Sequence, residues 1–262
     1  MNRGIVSTGD GCRLSYQCDG PADAPVLLLS NSLGTDMRMW APQIESFTKS
    51  FRVLRYDSRG HGASDSPGGA YSIDRLGRDV VELLEALGVE QFDFCGLSLG
   101  GMVGQWLGVR AGARLRRLVL ANTAAFMGPP SGWQTRIATV RAHGMAPVAD
   151  ASIARWFTQG FAAVMPEAVE QVRAMLLATD PNGYAGCCAA IRDMDQRATT
   201  RLIAAPVLVI TGTADPAVAA NDGWELADGV QNGRLVELAA AHLSNVEQPD
   251  GFARAAMDFL MR

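Results

Sequence analysis

The stretch that decides the fold of this chain is QFDFCGLSLG, residues 91–100. Its first half, residues 91–95, alternates and is rich in aromatic side chains, which predicts a β-strand. The residues that follow, 101–107, have helical spacing and place small side chains first. A strand, the pattern Gly-x-Ser-x-Gly and a helix in this order are typical of a nucleophile elbow, the sharp turn that presents a catalytic serine.

Ser98 is the candidate nucleophile because it occupies the centre of this turn. Such a serine adopts a strained backbone conformation, and side chains two residues to either side would collide. Gly96 and Gly100 have no side chain at those positions. The start of the following helix also directs N–H groups towards developing negative charge. Taken alone, the pattern is equally compatible with a glycine-rich turn that only shapes a fold.

The candidate acid is Asp215. In folds with this elbow, the acid follows a later strand and the histidine comes after the next one. Residues 203–211 (IAAPVLVIT) have the composition of a buried strand and lead to Asp215. Asp222 is the alternative, but it lies further from the strand and precedes a predicted helix, where a carboxylate has a structural reason to be.

The candidate base is His242, which follows the short strand predicted over 234–238 (RLVEL). The chain has three histidines, and the other two, His61 and His143, precede that strand. Neutral imidazole takes a serine proton near pH 7, and an aspartate holds the ring in the required tautomer. We therefore predict that the serine of the elbow, Asp215 and His242 form a catalytic triad.

The predicted oxyanion hole consists of two backbone N–H groups. One belongs to Leu99, the residue after the nucleophile, and the other to Leu33, in the loop after an earlier strand. That strand is predicted over residues 26–30, and its loop over 31–34.

Length and composition favour a single α/β domain. The 262 residues are enough for a large core, and 48% hydrophobic and 19% charged residues are typical of a globular protein. No run is long enough to span a bilayer, and the first residues do not have the pattern of a leader segment. The net charge of −4 predicts no binding to nucleic acid or to anionic membranes.

The cysteines and glycines predict neither a metal nor a cofactor. The five cysteines have no metal-type spacing, and no glycine-rich loop of the phosphate- or dinucleotide-binding type occurs. An odd number of scattered cysteines favours buried free thiols and a reducing cytoplasm. The oligomeric state stays open, and a homo-oligomer is compatible with the sequence.

The middle of the chain interrupts the alternation of strands and helices. Before the interruption, a helix is predicted over residues 72–87, with Ser72 as its N-cap. From 127 to 195 the sequence becomes helical, with frequent methionine and tryptophan. This predicts an α/β core, residues 1–126 and 196–262, with a helical lid, residues 127–195, inserted before the last strands.

Residues 56–64 (YDSRGHGAS) carry a second motif. With the elbow and the predicted triad, they make the chain similar to the α/β-hydrolases, in which an Asp-x-Arg-Gly-x-Gly-x-Ser segment braces the loops beside the nucleophile. The resemblance implies a mostly parallel central sheet flanked by helices, and a structural role for His61. Many members have His-Gly where this chain has Asn31 and Ser32. Because the oxyanion donor is a backbone N–H, this departure leaves the hole in place and changes the groups behind it.

Within this family, the chain resembles the 3-oxoadipate enol-lactonases of aromatic-compound catabolism. The segments that carry the resemblance are residues 29–35 (LSNSLGT), 39–40 (MW), 56–62 (YDSRGHG), 94–102 (FCGLSLGGM) and 241–249 (AHLSNVEQP). Asn-Ser-Leu-Gly in the oxyanion loop is the most selective of them. The resemblance implies a serine hydrolase that opens a five-membered enol lactone bearing an acetate side chain, giving 3-oxoadipate in the β-ketoadipate pathway.

Such a substrate is an anion, so its site should offer a cation, and arginine is favoured for carboxylates. Arg38, a few residues after the oxyanion loop, is the first candidate, and Trp133, early in the predicted lid, is placed to close over a small ring. Arg136 and Arg141 are weaker candidates. For each, a surface charge or a residue of the lid core is the alternative interpretation.

Two other functions remain compatible with the sequence. One is a related serine hydrolase: a short-chain carboxylesterase, a cofactor-free perhydrolase or a hydrolase of carbon–carbon bonds. The other is a ligand sensor that keeps the triad but turns over slowly, which predicts a large pocket and an exposed apolar lid surface. A haloalkane dehalogenase is disfavoured because it needs a carboxylate where Ser98 stands.

Overall fold

An eight-stranded sheet lies at the centre of the computed structural model, which describes residues 2–262. The strands are β1 Asn2–Ser7, β2 Arg13–Asp19, β3 Val26–Ser30, β4 Arg52–Tyr56, β5 Phe92–Leu97, β6 Leu115–Ala121, β7 Val207–Gly212 and β8 Gly233–Leu238. Their spatial order is β1-β2-β4-β3-β5-β6-β7-β8. β2 pairs antiparallel with β1 and β4, and the other pairings described are parallel. The predicted mostly parallel sheet is confirmed.

Helices flank this sheet, with α2 packed against α3 and α1 against α11. The α-helices are α1 Ala41–Phe47, α2 Ile73–Ala86, α3 Leu99–Arg110, α4 Pro130–His143, α5 Ala146–Trp156, α6 Gln159–Val164, α7 Pro166–Ala178, α8 Pro181–Asp193, α9 Ala220–Gly229, α10 Ser244–Glu247 and α11 Pro249–Leu260. Two 3-10 helices cover Met37–Trp40 and Thr200–Leu202.

The middle strands are mostly apolar because helices cover both faces of the sheet. Every residue of β5 and of β7 is buried. β7 begins at Val207, later than the strand predicted over 203–211. Pro206 stands immediately before it and has no N–H to donate to a neighbouring strand. The 3-10 helix Thr200–Leu202 ends directly before this run, with Ile203 as its C-cap.

Helix α2 shows how the local sequence places an element. Ser72 adopts an extended conformation and its hydroxyl accepts the N–H of Arg75 at 3.1 Å, which caps the helix as predicted. One face, including Leu76, Val80 and Leu83, is buried in the core. Gly88 follows the helix with a φ of 65°, a conformation that glycine adopts at little cost.

Five helices, α4 to α8, lie between β6 and β7. They occupy the stretch that the sequence predicts as a lid, residues 127–195. The two ends of this stretch are paired with each other. Phe126 forms a β-bridge with Asp195, and the N–H of Gln196 donates to the carbonyl of Ala125 at 2.8 Å. These helices also pack on one another, α4 most extensively on α8.

Candidate active site

Ser98 stands alone between β5 and α3 with a φ of 57° and a ψ of −114°. A positive φ is unusual and strained for a residue with a side chain. A Cβ on Gly96 would lie 2.3 Å from the carbonyl oxygen of Gly100, and a Cβ on Gly100 would lie 2.1 Å from that of Ser30. Glycine is therefore required on both sides of the serine, because the turn leaves no room for a methyl group.

Asp215 and His242 follow β7 and β8, and their side chains meet. The Nδ1 atom of His242 lies 2.8 Å from Oδ2 of Asp215, and both residues are buried. The other carboxylate oxygen, Oδ1, accepts the N–H groups of Ala217 at 2.7 Å and Val218 at 3.0 Å. Asn122, at the end of β6, donates its amide to Oδ2 at 3.0 Å. The carboxylate is thus held on all sides by donors.

These contacts decide the charge of Asp215. Burial by itself raises the pKa of a carboxyl group, but the charge and hydrogen bond of His242, with the further donors, outweigh it. The pKa of Asp215 is consequently lowered below its ordinary value. Asp215 is ionised at neutral pH and is able to stabilise a protonated imidazole at His242.

Ser98 and His242 line one cavity of about 270 Å³. Among residues 2–262, no hydrogen bond of 3.5 Å or less joins the hydroxyl of Ser98 to the ring of His242. Catalytic hydrogen bonds are often long in the absence of substrate and tighten when it binds. Three aromatic residues of the predicted lid contribute to the cavity wall, namely Trp133, Trp156 and Tyr184.

In the loop after β3, Leu33 lines the same cavity as Ser98 and has a backbone N–H without an acceptor in the described part of the chain. Within this loop, the N–H of Ser32 faces Sδ of Met39 at 3.3 Å, and the N–H of Gly34 donates to Nε2 of His61 at 2.9 Å. The N–H of Leu33 has no acceptor among the residues that the structure describes. Leu99 begins α3, so its N–H has no partner within the helix. Both predicted oxyanion donors are therefore available.

His61 is buried and fixes this loop. Its Nε2 accepts from Gly34, and its Nδ1 lies 3.2 Å from the carbonyl oxygen of Arg59, so the proton belongs on Nδ1. Burial lowers the pKa of His61 to about 4. The ring is neutral at pH 7 and connects the motif of residues 56–64 to the amide next to Leu33.

Asn31 and Ser32, where the chain departs from many α/β-hydrolases, have different surroundings. The Asn31 side chain donates to the carbonyl of Tyr56 at 2.8 Å and accepts from the indole of Trp40 at 3.0 Å. The carbonyl of Ser32 accepts the Thr35 hydroxyl at 2.8 Å, but the buried hydroxyl of Ser32 has no partner within residues 2–262. Asn31 thus connects the loop to the buried residues Tyr56 and Trp40. Ser32 adds a polar residue to the cavity wall.

Of the two predicted substrate-binding residues, the structure brings only Trp133 to the cavity. Its indole donates to the carbonyl of Met127 at 2.8 Å. Arg38 lies elsewhere: its guanidinium is 2.6 Å from the Asp36 carboxylate, its side chain is 65% exposed, and it lines a separate cavity. Arg38 is paired with Asp36 and lies outside the cavity that Ser98 lines. Arg141 is exposed on α4 and does not line the cavity.

Arg136 and Arg155 supply positive charge to the cavity instead. Arg136 donates to the Tyr184 hydroxyl at 3.2 Å, and Arg155 is 3.5 Å from the Ser152 hydroxyl. Within residues 2–262, no carboxylate lies within 4.0 Å of either guanidinium. Burial, with the nearby charge of Arg136, lowers the pKa of Arg155. Two cations without a counter-ion give the cavity a positive potential, which favours the entry of an anion.

Sequence reasoning missed Arg155 because no motif marks it. Its one signal is position: it precedes Trp156 at the end of α5, a helix that is otherwise mostly apolar. The rival acid Asp222 lies in the first turn of α9, where it accepts the N–H of Ala219 at 3.1 Å. That hydrogen bond gives Asp222 a structural role at a helix N-terminus.

Other kinds of site are not evident over residues 2–262. None of the helices described there combines the length and the apolarity that crossing a membrane would take. The same residues contain no group of three or more histidine, cysteine or acidic side chains arranged to hold a metal ion.

Comparisons with known proteins agree with this geometry. A model of the alpha/beta hydrolase fold family matches residues 25–249. The 3-oxoadipate enol-lactonase 2 of Acinetobacter baylyi is 43% identical over 255 residues, which cover 97% of this chain and 96% of that protein. A putative carbamate hydrolase, RutD, of Agrobacterium fabrum is 32% identical and covers 92% and 94%. The crystal structure of the enol-lactonase from Burkholderia xenovorans LB400 superposes with a TM-score of 0.97 at 43% identity, covering 99% of this chain and 100% of that one.

Proposed function

Because the chain belongs to the α/β-hydrolase family and is a carboxylic ester hydrolase, we propose that it opens 3-oxoadipate enol-lactone in the cytoplasmic breakdown of aromatic compounds. The observation that carries the proposal is the pair of guanidiniums, Arg136 and Arg155, in the cavity that Ser98 and His242 line. The enol lactone bears one carboxylate. The named activities of the Acinetobacter and Burkholderia proteins support the same substrate.

Ser98, His242 and Asp215 carry out the reaction in this proposal. His242 takes the proton of Ser98 as its oxygen attacks the lactone carbonyl, and Asp215 stabilises the resulting imidazolium. The N–H groups of Leu33 and Leu99 stabilise the oxyanion. The ring C–O bond then breaks, and the leaving enolate takes the proton from His242 and tautomerises to a ketone.

Water completes the cycle. His242 removes a proton from a water molecule, which attacks the acyl-enzyme and releases Ser98 and a second carboxylate. The helices α4 to α8 act as the lid in this proposal, which is supported by Trp133, Arg136 and Arg155 lining the same cavity as Ser98. The free carboxylate of the lactone binds between the two arginines.

The proposal is tested by comparing an anionic with a neutral substrate. Ser98→Ala should abolish hydrolysis of both the enol lactone and a neutral ester of similar size. Arg136→Met and Arg155→Met should each lower kcat/KM for the lactone by about one to two decades, since a hydrogen bond to a charged group contributes about 1.5–3 kcal/mol. Activity on the neutral ester should change much less.

Arg38→Met is the matched control, because this arginine lies outside the cavity and is paired with Asp36. It should retain the discrimination of the wild type between the two substrates. Equal losses on both substrates for the Arg136 and Arg155 variants would contradict the anion site. A wild-type enzyme that prefers a neutral ester or a carbamate would overturn the lactonase assignment itself.

A further inference from the structure

Residues 156–158, the last residue of α5 and the two residues before α6, are connected by hydrogen bonds to the residues on both sides of His242. We call this segment the lid junction. The N–H of Leu243 donates to the carbonyl of Trp156 at 3.1 Å. On the other side, the N–H of Ala241 donates to Oε2 of Glu247 at 3.0 Å. Each residue next to His242 is thus connected, directly or through Glu247, to the lid junction.

Glu247 makes the second connection with both of its carboxylate oxygens. Its Oε2 also accepts the N–H of Thr158 at 3.2 Å, and its Oε1 accepts the Thr158 hydroxyl. The residue is only 8% exposed, and within residues 2–262 no arginine, lysine or histidine forms an ion pair with it. A buried carboxylate is costly unless donors surround it. Here one donor, the N–H of Ala241, belongs to the loop that carries His242, and the other two belong to Thr158 of the lid junction.

The lid junction also adjoins the proposed substrate site. Arg155 and Trp156 line the cavity, and Thr158 follows them by two residues. A carboxylate bound at Arg155 therefore lies next to the lid junction. Glu247 and Leu243 connect the lid junction to the loop that carries His242.

We propose that Glu247 is a positioning residue that couples the lid junction to the placement of His242. The proposal rests on His242 being the catalytic base, as argued under the proposed function. Glu247 does not touch the substrate. It fixes the loop that carries His242 relative to the lid junction, so that an anion bound at Arg155 also stabilises the productive position of the imidazole. Displacement of a catalytic group by about 1 Å costs up to about a hundredfold in rate.

Three substitutions at Glu247 separate the effect of side-chain length from the effect of charge. Glu247→Gln retains the length, since its carbonyl is able to accept both backbone N–H groups and its amide to donate to the Thr158 hydroxyl. Glu247→Asp retains the charge but is one methylene shorter, so it no longer spans the loop and the lid. Glu247→Leu removes every hydrogen bond at similar volume. Asp250→Asn, at an exposed carboxylate in the first turn of α11, is the control.

The experiment measures kcat and KM for the enol lactone and for p-nitrophenyl acetate. Active sites are counted from the burst of p-nitrophenol, so that a loss of folded protein does not register as a loss of rate. Glu247→Asp and Glu247→Leu should lower kcat per active site by about ten- to a hundredfold, with KM changed much less. The loss should be larger for the anionic lactone. Glu247→Gln should recover most of the rate, and Asp250→Asn should match the wild type.

Wild-type kcat per active site in Glu247→Asp would overturn the proposal, as would a loss confined to KM or equal losses in Glu247→Gln and Glu247→Leu. If Glu247→Leu does not fold, the Asp and Gln variants still decide the outcome. A wild-type enzyme inactive on the lactone but active on the neutral ester would refute the proposed substrate. The test of Glu247 would then continue on the ester.

Discussion

The hydroxyl of Ser32 has no hydrogen-bond partner within residues 2–262, although the residue is 2% exposed. Both backbone polar groups of Ser32 have partners nearby, Met39 for the N–H and Thr35 for the carbonyl. Only the side-chain hydroxyl has no hydrogen-bond partner among the described residues. Because no described protein group bonds this hydroxyl, it contributes no intramolecular hydrogen bond to the stability of the native state.

Ser32→Ala should accordingly change the free energy of unfolding by less than about 1 kcal/mol, because the substitution breaks no hydrogen bond within the described part of the protein. Urea denaturation followed by circular dichroism measures the change. Ser244→Ala is the matched control: its buried hydroxyl donates to the side chain of Asn122 at 2.5 Å. That variant should be less stable by about 1 kcal/mol or more. A clear loss of stability in Ser32→Ala would show that its hydroxyl is bonded.

At the scale of elements, the approach of α3 to the sheet depends on glycine. Gly100 lies in the first turn of α3, and a Cβ there would be 2.1 Å from the carbonyl oxygen of Ser30 in β3. This close approach keeps Ser98 between β5 and α3 and keeps the oxyanion loop beside it. Helix propensity favours alanine over glycine by about 1 kcal/mol. At this position the steric clash disfavours alanine, so the two effects oppose each other.

Gly100→Ala should lower the free energy of unfolding by about 3 kcal/mol, because backbone atoms cannot move away as a flexible side chain would. Gly132, in the first turn of α4, is a fitting control, since a Cβ there would meet nothing within 4 Å. Gly132→Ala should be neutral or up to about 1 kcal/mol more stable. Thermal or chemical denaturation compares the two variants, and a stable Gly100→Ala protein would contradict the close approach.

For the whole molecule, a buried histidine makes stability depend on pH. The pKa of His61 is lowered by burial from about 6.5 to about 4. Between these values the unfolded chain binds a proton that the folded protein excludes, so stability rises with pH in this window. The part of the stability that depends on a neutral His61 ring is fully present above pH 6.5 and is lost as the pH falls to 4.

We therefore expect His61 to account for up to about 3 kcal/mol of the stability lost between pH 6.5 and pH 4. The measurement is the free energy of unfolding in urea at several pH values, for the wild type and for His61→Gln. The difference between the two proteins isolates this residue from the carboxylates that titrate nearby. It should shrink as pH falls through the window, and a difference independent of pH would refute the assignment.

Short-range patterns in the sequence determined the sheet, the turn at Ser98 and the order of the elements. These features depend on neighbouring residues: glycines where a turn has no room, apolar runs where a strand is covered on both faces, and a serine at the start of α2. The aspartate and histidine that follow β7 and β8 were identifiable for a related reason. The carboxyl ends of parallel strands meet at one edge of a sheet, and the structure joins Asp215 to His242 there.

Only the tertiary structure decided which charges reach the cavity. Proximity in the sequence favoured Arg38, but its guanidinium turns to Asp36 two residues away, whereas Arg155 enters from a helix far along the chain. The contacts of Glu247 with Thr158 likewise span 89 residues. The direction of a side chain depends on which distant groups pack around it. Residue type and spacing specify a local backbone, but they do not specify the neighbours that folding brings from elsewhere.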